Sequence, residues 1–434
     1  MPIAVYLFSV CTFAFGLSEF VVAGLVSAMA DSLHARIEAV GTAIAAYAFG
    51  AAIGAPLLTA WVAHWRDRRI LACAMAILAV GSGLMSVSAT LPVLLGVRFA
   101  VGLAHGVFMA VASDAATRLV EPARAGRAVA VVWIGLTVAL ALGVPLGTFL
   151  GSLWSWRLVF LAIGVLALVG LGGLLCCMPG RSTAPQPDAQ SGSKSGSKSG
   201  SKSGSKSGSQ PGQLAGQGPS RRGSVPPRPQ AGSGMAAGLR AIAHPRMLMT
   251  AGVGALVSVA TFCFFTYVSP YLLQVTGAGV RQLSTAMLLF GLFSIGGNLL
   301  GGYLADRMDP DRAAMLALAA LVATMLALFQ FRASSWAVLA LAGGLGLVFF
   351  CIVTVLTLRL LKQAQHYVPA FTAVAAGLNI ASFNLGTAVG GGLGSLTIAW
   401  AGLPVLPLAG AAAALAAMTA LWWQSTCADI TRTA

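Results

Sequence analysis

The stretch GGYLADRMDPDR, Gly301 to Arg312, places five charged residues between two long apolar runs of the sequence. Subtracting 243 from the positions of its last eleven residues gives TAWVAHWRDRR, Thr59 to Arg69, which also lies between two apolar runs. The same offset relates two series of glycines with steps of four, which are Gly143, Gly147 and Gly151, and Gly386, Gly390 and Gly394. Two independent features with one offset predict an internal repeat, so that each half of the chain carries the same set of helices.

The composition of the chain predicts a membrane protein. Its 434 residues are 58% hydrophobic and 9% charged, whereas soluble domains carry about 25% charged residues. Apolar segments of about 20 residues, long enough to cross a bilayer, recur along the chain. We therefore expect an all-α membrane protein with twelve transmembrane helices in two six-helix bundles. The predicted helices cover 4–29, 39–63, 70–90, 91–117, 126–151, 156–178, 247–272, 282–304, 313–331, 335–358, 368–396 and 402–424.

A polar segment divides the predicted helices into an N-terminal bundle, 1–178, and a C-terminal bundle, 246–434. The segment between them, 179–245, contains the repeat SGSKSGSKSGSKSGSKSGS, which is typical of a flexible tether. A regulatory or anionic-lipid-binding role for this linker is the alternative. Ten of the 26 Lys and Arg residues lie in Pro179–Arg246 against one acid, Asp188. Because the net charge of +15 comes largely from this linker and from short loops, it does not indicate nucleic-acid binding.

The distribution of Lys and Arg predicts the topology. With the N-terminus in the cytoplasm, 21 cations fall in inward-facing segments and four in outward-facing loops. The ratio remains eleven to four when the linker is left out. Since cytoplasmic loops carry an excess of Lys and Arg, we expect both termini in the cytoplasm.

Ionisable residues inside predicted helices are the candidates for coupling transport to protons. Glu19 lies in the first helix, and Arg98 and His105 lie two turns apart on one face of the fourth. At 1.5 Å per residue, the height of Glu19 in the membrane falls between those of Arg98 and His105. Desolvation favours the neutral form of a carboxyl group and a neighbouring cation favours the charged form, so that such a cluster can exchange protons. A structural Glu–Arg pair is the alternative, and for Asp114 the alternative is an interfacial pair with Arg118.

Small and aromatic residues suggest a gate and a substrate cavity. The glycine series of helices five and eleven permit close helix packing, and Pro145 favours a bend within the first series. They indicate either a seam that opens and closes or ordinary packing. The polar and aromatic residues predicted to line a substrate cavity are Tyr47, Phe264, Tyr267, Tyr271, Asn298, Asn379 and Asn384. The alternative for the aromatic residues is contact with lipid, and for the asparagines it is hydrogen bonding between helices.

Motifs for other chemistry are absent from the sequence. It contains no G-x-x-x-x-G-K-[ST] of a P-loop ATPase, no H-E-x-x-H and no Cys/His cluster. The seven cysteines lie in or beside apolar runs and are interpreted as small hydrophobic residues. We therefore expect no metal, no cofactor and no enzymatic activity, with a proton gradient as the energy source.

The repeated loop resembles a motif of the major facilitator superfamily. That family carries G-x-x-x-D-R-x-G-x-R-R between helices two and three, with a weaker copy between helices eight and nine. The residues that match are Arg68 and Arg69 in the first copy and Gly302, Asp306, Arg307 and Arg312 in the second. The second copy is better preserved, so we expect Asp306 and Arg312 to bind neighbouring helix ends in one of the two orientations of the transporter.

Two further motifs are similar to those of the family's drug:proton antiporters. RFAVGLAHGVF, from Arg98, resembles the helix-four motif whose arginine is tied to proton coupling. GLTVALALGVPLGTFLG, Gly135–Gly151, resembles the helix-five antiporter motif. With GLSEFVVAGL, YAFGAAIGAPLLTA, FTYVSP and GLNIASFNLGTAVGGGLG, the chain resembles bacterial exporters of sugars, purine nucleosides and chloramphenicol-type drugs.

The resemblance implies a proton-coupled efflux transporter, monomeric, in the bacterial cytoplasmic membrane. It would export a small organic molecule, such as a sugar, nucleoside, drug or siderophore-like metabolite, by alternating access between the two halves. A proton-coupled importer on the same fold and a non-transporting membrane sensor or scaffold are the alternatives. The sequence does not identify the transported molecule.

Overall fold

The computed structural model describes residues 1–62, 64–121, 124–178, 244–367 and 372–433. These residues form helices and turns without β-strands, which confirms the predicted all-α fold. The long helices are α1 (Ile3–Leu33), α2 (Ile37–Ile53), α3 (Asp67–Val87), α4 (Leu91–Arg118), α5 (Ala125–Val138), α6 (Trp156–Cys177), α7 (Pro245–Phe265), α8 (Val280–Arg307), α9 (Pro310–Gln330), α10 (Ser335–Tyr367), α11 (Thr372–Ala401) and α12 (Leu406–Thr433). The predicted linker lies outside the described residues, apart from its last two positions.

The membrane-spanning character of these helices follows from their length and mean hydropathy. Within the described residues, eleven helices are long and apolar enough to cross a bilayer. The remaining long helix, α11, has 30 residues and packs against α7 and α2. Some helices are longer than predicted: α10 continues nine residues past position 358. Its last turns, RLLKQAQHY, are polar, so the apolar run stops before the helix does.

Three π-helical turns interrupt the helices, each beside a proline. They are Gly54–Leu58, which contains Pro56 and extends α2, Ala139–Gly143, which precedes Pro145 after α5, and Tyr271–Val275, which follows Pro270. Proline has no N–H for the helical ladder, and a π-type turn absorbs the local change in hydrogen bonding. The bend predicted at Pro145 therefore takes the form of a π turn, after which the helix resumes as Val144–Leu153.

The helix bundle has two ends, the linker face and the far face. The linker face is the end at which α1 begins, α6 ends and α7 begins; the far face is the opposite end, at which α1 ends at Leu33. The N-terminal and C-terminal halves meet mainly along α2 with α11 and along the continuation of α5 with α8. Residues at mid-height on α1, α2 and α7 thus lie beside the seam between the halves.

Close packing of α2 on α4 depends on glycine. A Cβ atom at Gly102 would lie 2.0 Å from the Tyr47 carbonyl oxygen, and one at Gly106 would lie 2.4 Å from the Ala51 oxygen. From the other side, a Cβ at Gly50 would lie 2.3 Å from the Phe99 oxygen. The two backbones touch directly, as in small-xxx-small helix pairs. This contact sets the distance between α2 and the side of α4 that carries Arg98 and His105.

Substituting Gly102 with alanine is expected to destabilise the protein by about 1–3 kcal/mol, because the added methyl group forces α2 and α4 apart. Gly96→Ala, on the same helix, is the control, since a Cβ there meets nothing within 4 Å. Alanine favours the helix by up to about 1 kcal/mol, so the control is expected to be neutral or stabilising. Thermal unfolding of the detergent-solubilised protein measures both. Equal midpoints for the two variants would contradict the close contact.

Candidate functional site

Arg98 connects three helices at mid-height in the N-terminal half. Its side chain is buried and donates hydrogen bonds to the carbonyl oxygens of Ser18, at 2.7 Å, and Glu19, at 3.3 Å, on α1. Its Nε donates to the Ala43 oxygen on α2, at 3.2 Å. The guanidinium carbon also lies 4.2 Å from the ring centroid of Tyr47. Arg98 thus binds the main chain of Glu19 rather than its carboxylate, and it fixes the position of α1 against α2 and α4.

Glu19 and His105 form an acid–base pair beside this arginine. The Oε2 atom of Glu19 lies 3.6 Å from Nδ1 of His105, longer than a hydrogen bond, and both side chains are mostly buried. The imidazole ring stacks on Phe15 with a centroid distance of 5.0 Å and also contacts Tyr47. Neither ring nitrogen has a hydrogen-bond partner among the described residues. A small rotation of either side chain is enough to bring the two atoms within hydrogen-bond distance.

A small cavity lies on the seam between the two halves, with Glu19 in its wall. The cavity measures about 10 Å³, room for about one water molecule. Both halves contribute to its lining, which consists of Glu19, Phe20, Ala23, Ile44, Tyr47, Ala48, Phe262, Phe265 and Thr387. The rings of Phe20 and Phe262 stack across the seam with centroids 6.3 Å apart. Glu19 is the single carboxylate in a wall that is otherwise apolar and aromatic apart from Thr387.

The predicted aromatic stripe of helix seven is divided by the structure. Because α7 ends at Phe265, Tyr267 leaves the face of Phe264 and lies at the seam between the halves, against Gly41. Phe264 and Tyr271 are packed together in the core of the C-terminal half, where the Tyr271 hydroxyl donates to the Leu328 oxygen. Of the predicted cavity set, the structure brings Tyr47 to the cavity. The neighbouring stripe of Phe262 and Phe265 lines it instead.

The three predicted asparagines make contacts within the C-terminal half. Asn298 accepts a hydrogen bond from Thr354 at 2.9 Å, and Asn379 donates to Thr357 at 2.9 Å. Asn384 donates to the Ile380 oxygen of its own helix. These bonds join α8 and α11 to α10. None of the three lines the cavity beside Glu19.

Hydrogen bonds between the halves close the far face. The Ser395 hydroxyl donates to the Glu38 carbonyl oxygen at 3.4 Å, and the Tyr267 hydroxyl is shared between that oxygen, at 3.4 Å, and the Gly391 oxygen, at 3.0 Å. The Ser269 hydroxyl donates to that of Ser27 at 3.2 Å. All three bonds lie near the far face. The structure therefore shows a conformation closed at the far face.

The two glycine series pack inside the halves rather than across the seam. Gly143, Gly147 and Gly151 face α1, where added Cβ atoms would lie 2.8–3.1 Å from the side chains of Phe13, Val21 and Leu25. Gly386, Gly390 and Gly394 face α7, within 2.1–2.8 Å of its carbonyl oxygens. Each series holds the seam-forming helix against a partner in its own half.

Other glycines permit the contact between the halves. A Cβ at Gly291 on α8 would lie 2.1 Å from the Leu140 oxygen, and one at Gly41 on α2 would lie 2.1 Å from the Tyr267 ring. These glycines do not recur at steps of four, as the two series do, so they were not predicted from the sequence.

Asp114 lies at the linker face, roughly 13 Å along α4 from His105. Its carboxylate pairs with Arg118 at 3.0 Å, and Arg118 also pairs with Asp67 at 2.7 Å. All three side chains are partly exposed. Arg118 therefore joins Asp114 on α4 to the first residue of α3, and Asp114 is not part of the cluster around Glu19.

The first copy of the loop motif is held by Arg68 and Arg69. Arg68 donates to the Leu175 oxygen near the end of α6. The guanidinium carbon of Arg69 lies 4.7 Å from the Trp65 ring centroid. The first contact connects Arg68 to α6. The second holds the Arg69 side chain against Trp65 of the loop.

The second copy of the loop motif makes its ion pair through Asp311. Asp311 pairs with the buried Arg359 of α10 at 2.6 Å, and Asp309 caps α9 by accepting from the backbone N–H groups of Asp311 and Arg312. Asp306 makes no ion pair within the described part of the chain, so the contact predicted for it in one orientation is not made in this conformation. Arg312 likewise has no carboxylate partner there.

The two remaining residues of the second copy, Arg307 and Gly302, lie at the end of α8. Arg307 lies over the Tyr303 ring at 5.2 Å. A Cβ at Gly302 would meet nothing within 4 Å, whereas one at Gly301 would lie 2.6 Å from the Cys351 oxygen. The glycine needed for packing is therefore Gly301, one position before the motif residue.

Replacing Asp311 with asparagine is expected to lower the free energy of unfolding by about 1–2 kcal/mol, because the buried Arg359 loses a charged partner that is itself partly exposed. Arg359 keeps its hydrogen bonds to Thr250 and Gln424. Asp306→Asn is the matched control and is expected to change stability by less than about 0.5 kcal/mol. Thermal unfolding in detergent compares them. A larger effect for Asp306→Asn would restore the original prediction.

Comparison with known proteins identifies the family. The sequence model of the family described as Major Facilitator Superfamily matches residues 8–375 of this chain. The chain belongs to the major facilitator superfamily. Its fold is similar to that of the nucleoside transporter NupG, D323A mutant, with a TM-score of 0.71 and 14% identity, over 97% of this chain and 99% of that one. The structure of this superfamily member is thus that of a multi-pass membrane transporter for small molecules.

Two relatives of this superfamily member cover most of its length. A protein of Streptomyces lividans named "Chloramphenicol resistance protein" is 35% identical over 313 residues, 71% of this chain and 68% of the relative. "Inner membrane transport protein YdhP" of Escherichia coli (strain K12) is 29% identical over 401 residues, 92% of this chain and 90% of the relative. The relatives and the fold are those of transporters, not enzymes.

Sequence reasoning about this superfamily member missed the C-terminal wall of the cavity. Phe262, Phe265 and Thr387 were not among the predicted cavity residues. Phe262 and Phe265 are three positions apart, so they offered a helical stripe as clear as the one chosen. The deciding information was the end of α7 at Phe265, which the apolar sequence does not mark.

Proposed function

We propose that this chain is a secondary transporter that exports a small organic molecule in exchange for protons, with Glu19 as the proton carrier. The observation that carries the proposal is the place of Glu19: its carboxylate lines a cavity between the halves and lies 3.6 Å from His105. Charged residues inside a membrane are costly and normally serve a pathway or a partner. The main-chain contacts of Arg98 leave the carboxylate of Glu19 free to exchange a proton and to meet a substrate.

Alternating access gives this carboxylate two different surroundings. When one face opens, water and substrate reach the cavity from that side; when the halves rock, they reach it from the other. A proton taken up by Glu19 on one side is then released on the other. In this scheme His105 is the neighbouring group that accepts or returns the proton, and Arg98 is a positioning residue that holds α1 in place.

The arrangement of charge supports a cytoplasmic linker face. The cations of the loops concentrate there, as in other inner-membrane proteins. With this orientation, the conformation closed at the far face is the one that would admit a solute from the cytoplasm, as an exporter requires. The Streptomyces lividans relative is named for resistance to chloramphenicol, and export of a drug is one way in which a cell resists it.

Transport in inverted membrane vesicles tests the proposed function. Vesicles with an acidic interior should accumulate the transported compound, and adding that compound should release protons from the vesicles. Sugars, nucleosides, chloramphenicol-type drugs and iron chelators are the first compounds to screen. Accumulation driven by the opposite gradient would identify an importer. Transport that is indifferent to the pH gradient would refute proton coupling.

A further inference from the structure

Two phenylalanine rings from opposite halves face each other beside Glu19. Phe20 of α1 and Phe262 of α7 both line the cavity, and their rings are 28° from parallel with centroids 6.3 Å apart. A stacked pair inside the C-terminal half, Phe265 and Phe290, has nearly the same tilt, 26°, with centroids 4.1 Å apart. The pair across the seam is therefore spread more widely than two rings in direct stacking contact.

The spacing of this pair is slightly short of the spacing that a third ring requires. Carbon atoms of stacked rings approach to about 3.5–4.0 Å, so a planar ring between two others needs a gap of about 7–8 Å. The cavity as it stands measures about 10 Å³, which is room for a water molecule and not for a ring. Because Phe20 and Phe262 belong to different halves, a separation of the halves by about 1–2 Å at this height provides the gap.

The ring of Phe262 is held in place by other rings of the C-terminal half. It makes edge-to-face contacts with Phe265, at 5.8 Å, and with Phe349, at 5.7 Å. Phe265 in turn stacks on Phe290. These contacts fix the orientation of the Phe262 ring before a ligand arrives, so that little side-chain entropy is lost on binding.

The other groups around the pair limit what a ligand can carry. Glu19 is the single carboxylate of the lining, and among the described residues no Lys, Arg or His belongs to it. The guanidinium group of Arg98 is occupied by main-chain oxygens of α1 and α2. The Thr387 hydroxyl already donates to the Phe383 oxygen, so it can only accept a hydrogen bond from a ligand. An anion finds no counter-charge here, and a compound with many hydroxyl groups leaves most of them without partners.

We propose that Phe20 and Phe262 form a clamp for a planar aromatic ring, and that the exported compound carries such a ring together with a hydrogen-bond donor for Glu19. This inference rests on the proposed function, since the clamp opens and closes with the two halves. Stacking on both faces of a ring selects aromatic compounds over saturated compounds of the same size. Of the compounds to be screened for transport, nucleosides and chloramphenicol-type drugs contain a planar ring, whereas simple sugars do not.

Thermal unfolding of the detergent-solubilised full chain with paired compounds tests the clamp. A ligand that binds the folded protein raises the unfolding midpoint, so the shift reports affinity without transport or a pH gradient. The aromatic probes are chloramphenicol and 1-naphthylmethylamine, each compared with the analogue in which its rings are fully saturated. At least one of the two is expected to bind about tenfold more tightly than its saturated analogue, since both faces of its ring are stacked.

Two variants test whether the clamp causes this preference. Phe20→Leu and Phe262→Leu keep an apolar side chain, and each is expected to lower the preference from about tenfold to about threefold or less. Phe49→Leu is the matched control: Phe49 and Phe99 form a ring pair of similar geometry, 6.2 Å and 34°, but Phe49 is 47% exposed and does not line the cavity. The ratio of the two affinities is compared, because a general loss of stability changes both affinities alike.

The outcomes separate this inference from the proposed function. Absence of binding by both aromatic probes, equal affinity for aromatic and saturated compounds, a preference that survives in both clamp variants, or an equal change in Phe49→Leu would each overturn the clamp. Proton-coupled export would remain unaffected by any of these results. Conversely, transport that is indifferent to the pH gradient would refute the coupling and leave the measured preference for rings in place.

Discussion

Glu19→Gln is expected to reduce proton-coupled transport to the level of vesicles that lack the protein. Glutamine keeps the shape and the hydrogen-bonding capacity of the side chain but cannot carry a proton. Because Glu19 is the single carboxylate in the cavity wall, no other group there can take its place. The measurement is proton release from inverted vesicles on addition of the transported compound.

Exchange of labelled for unlabelled substrate separates coupling from binding in the same variant. Such exchange needs no net proton movement, so Glu19→Gln is expected to retain it and to lose its dependence on pH. Asp31→Asn is the matched control, because Asp31 is an exposed carboxylate on the same helix. Full coupled transport by Glu19→Gln would refute the assignment, as would an equal loss in Asp31→Asn.

Arg98→Lys is expected to remove most transport and to lower the free energy of unfolding by about 3 kcal/mol. Lysine keeps the charge, but its single ammonium group cannot donate to Ser18, Glu19 and Ala43 while lying flat on Tyr47. Two or more hydrogen bonds to a charged group are lost, each worth about 1.5–3 kcal/mol in a buried site. Thermal unfolding and vesicle transport measure the two effects.

Arg157→Lys is the matched control for this substitution. Arg157 makes the same kinds of contact at the far face, with Ser32, with the Ser88 carbonyl oxygen and over the Trp156 ring. Because water reaches this arginine, lysine should replace it at a cost of less than about 1 kcal/mol. A comparable loss in both variants would show that the cluster at mid-height has no special requirement for a guanidinium group.

The sequence predicted the fold and the composition of this cluster because both depend on regular spacing. A rise of 1.5 Å per residue put Glu19 between Arg98 and His105 in height. The structure agrees, since Glu19 meets the arginine through its carbonyl oxygen and the histidine through its carboxylate. The role of the cluster in proton coupling remains a proposal.

The details that depend on where a helix ends, or on which neighbour it meets, could not be predicted. The turn after Phe265 separates Tyr267 from Phe264 and Tyr271, with which its spacing had placed it on one face. Likewise, Asp306 and Asp311 are both acids of one charged run. Only the path of α10, which brings Arg359 to the start of α9, makes Asp311 the partner.

The closure of the far face has a consequence for mutational tolerance. Two of its three hydrogen bonds end on the carbonyl oxygen of Glu38, an atom that every amino acid possesses. The Glu38 side chain itself is engaged with Arg36. The acceptor of this contact therefore depends on the path of α2, so that a substitution at position 38 that preserves the helix leaves it in place. Substitutions of the donors, Tyr267 and Ser395, remove the contact.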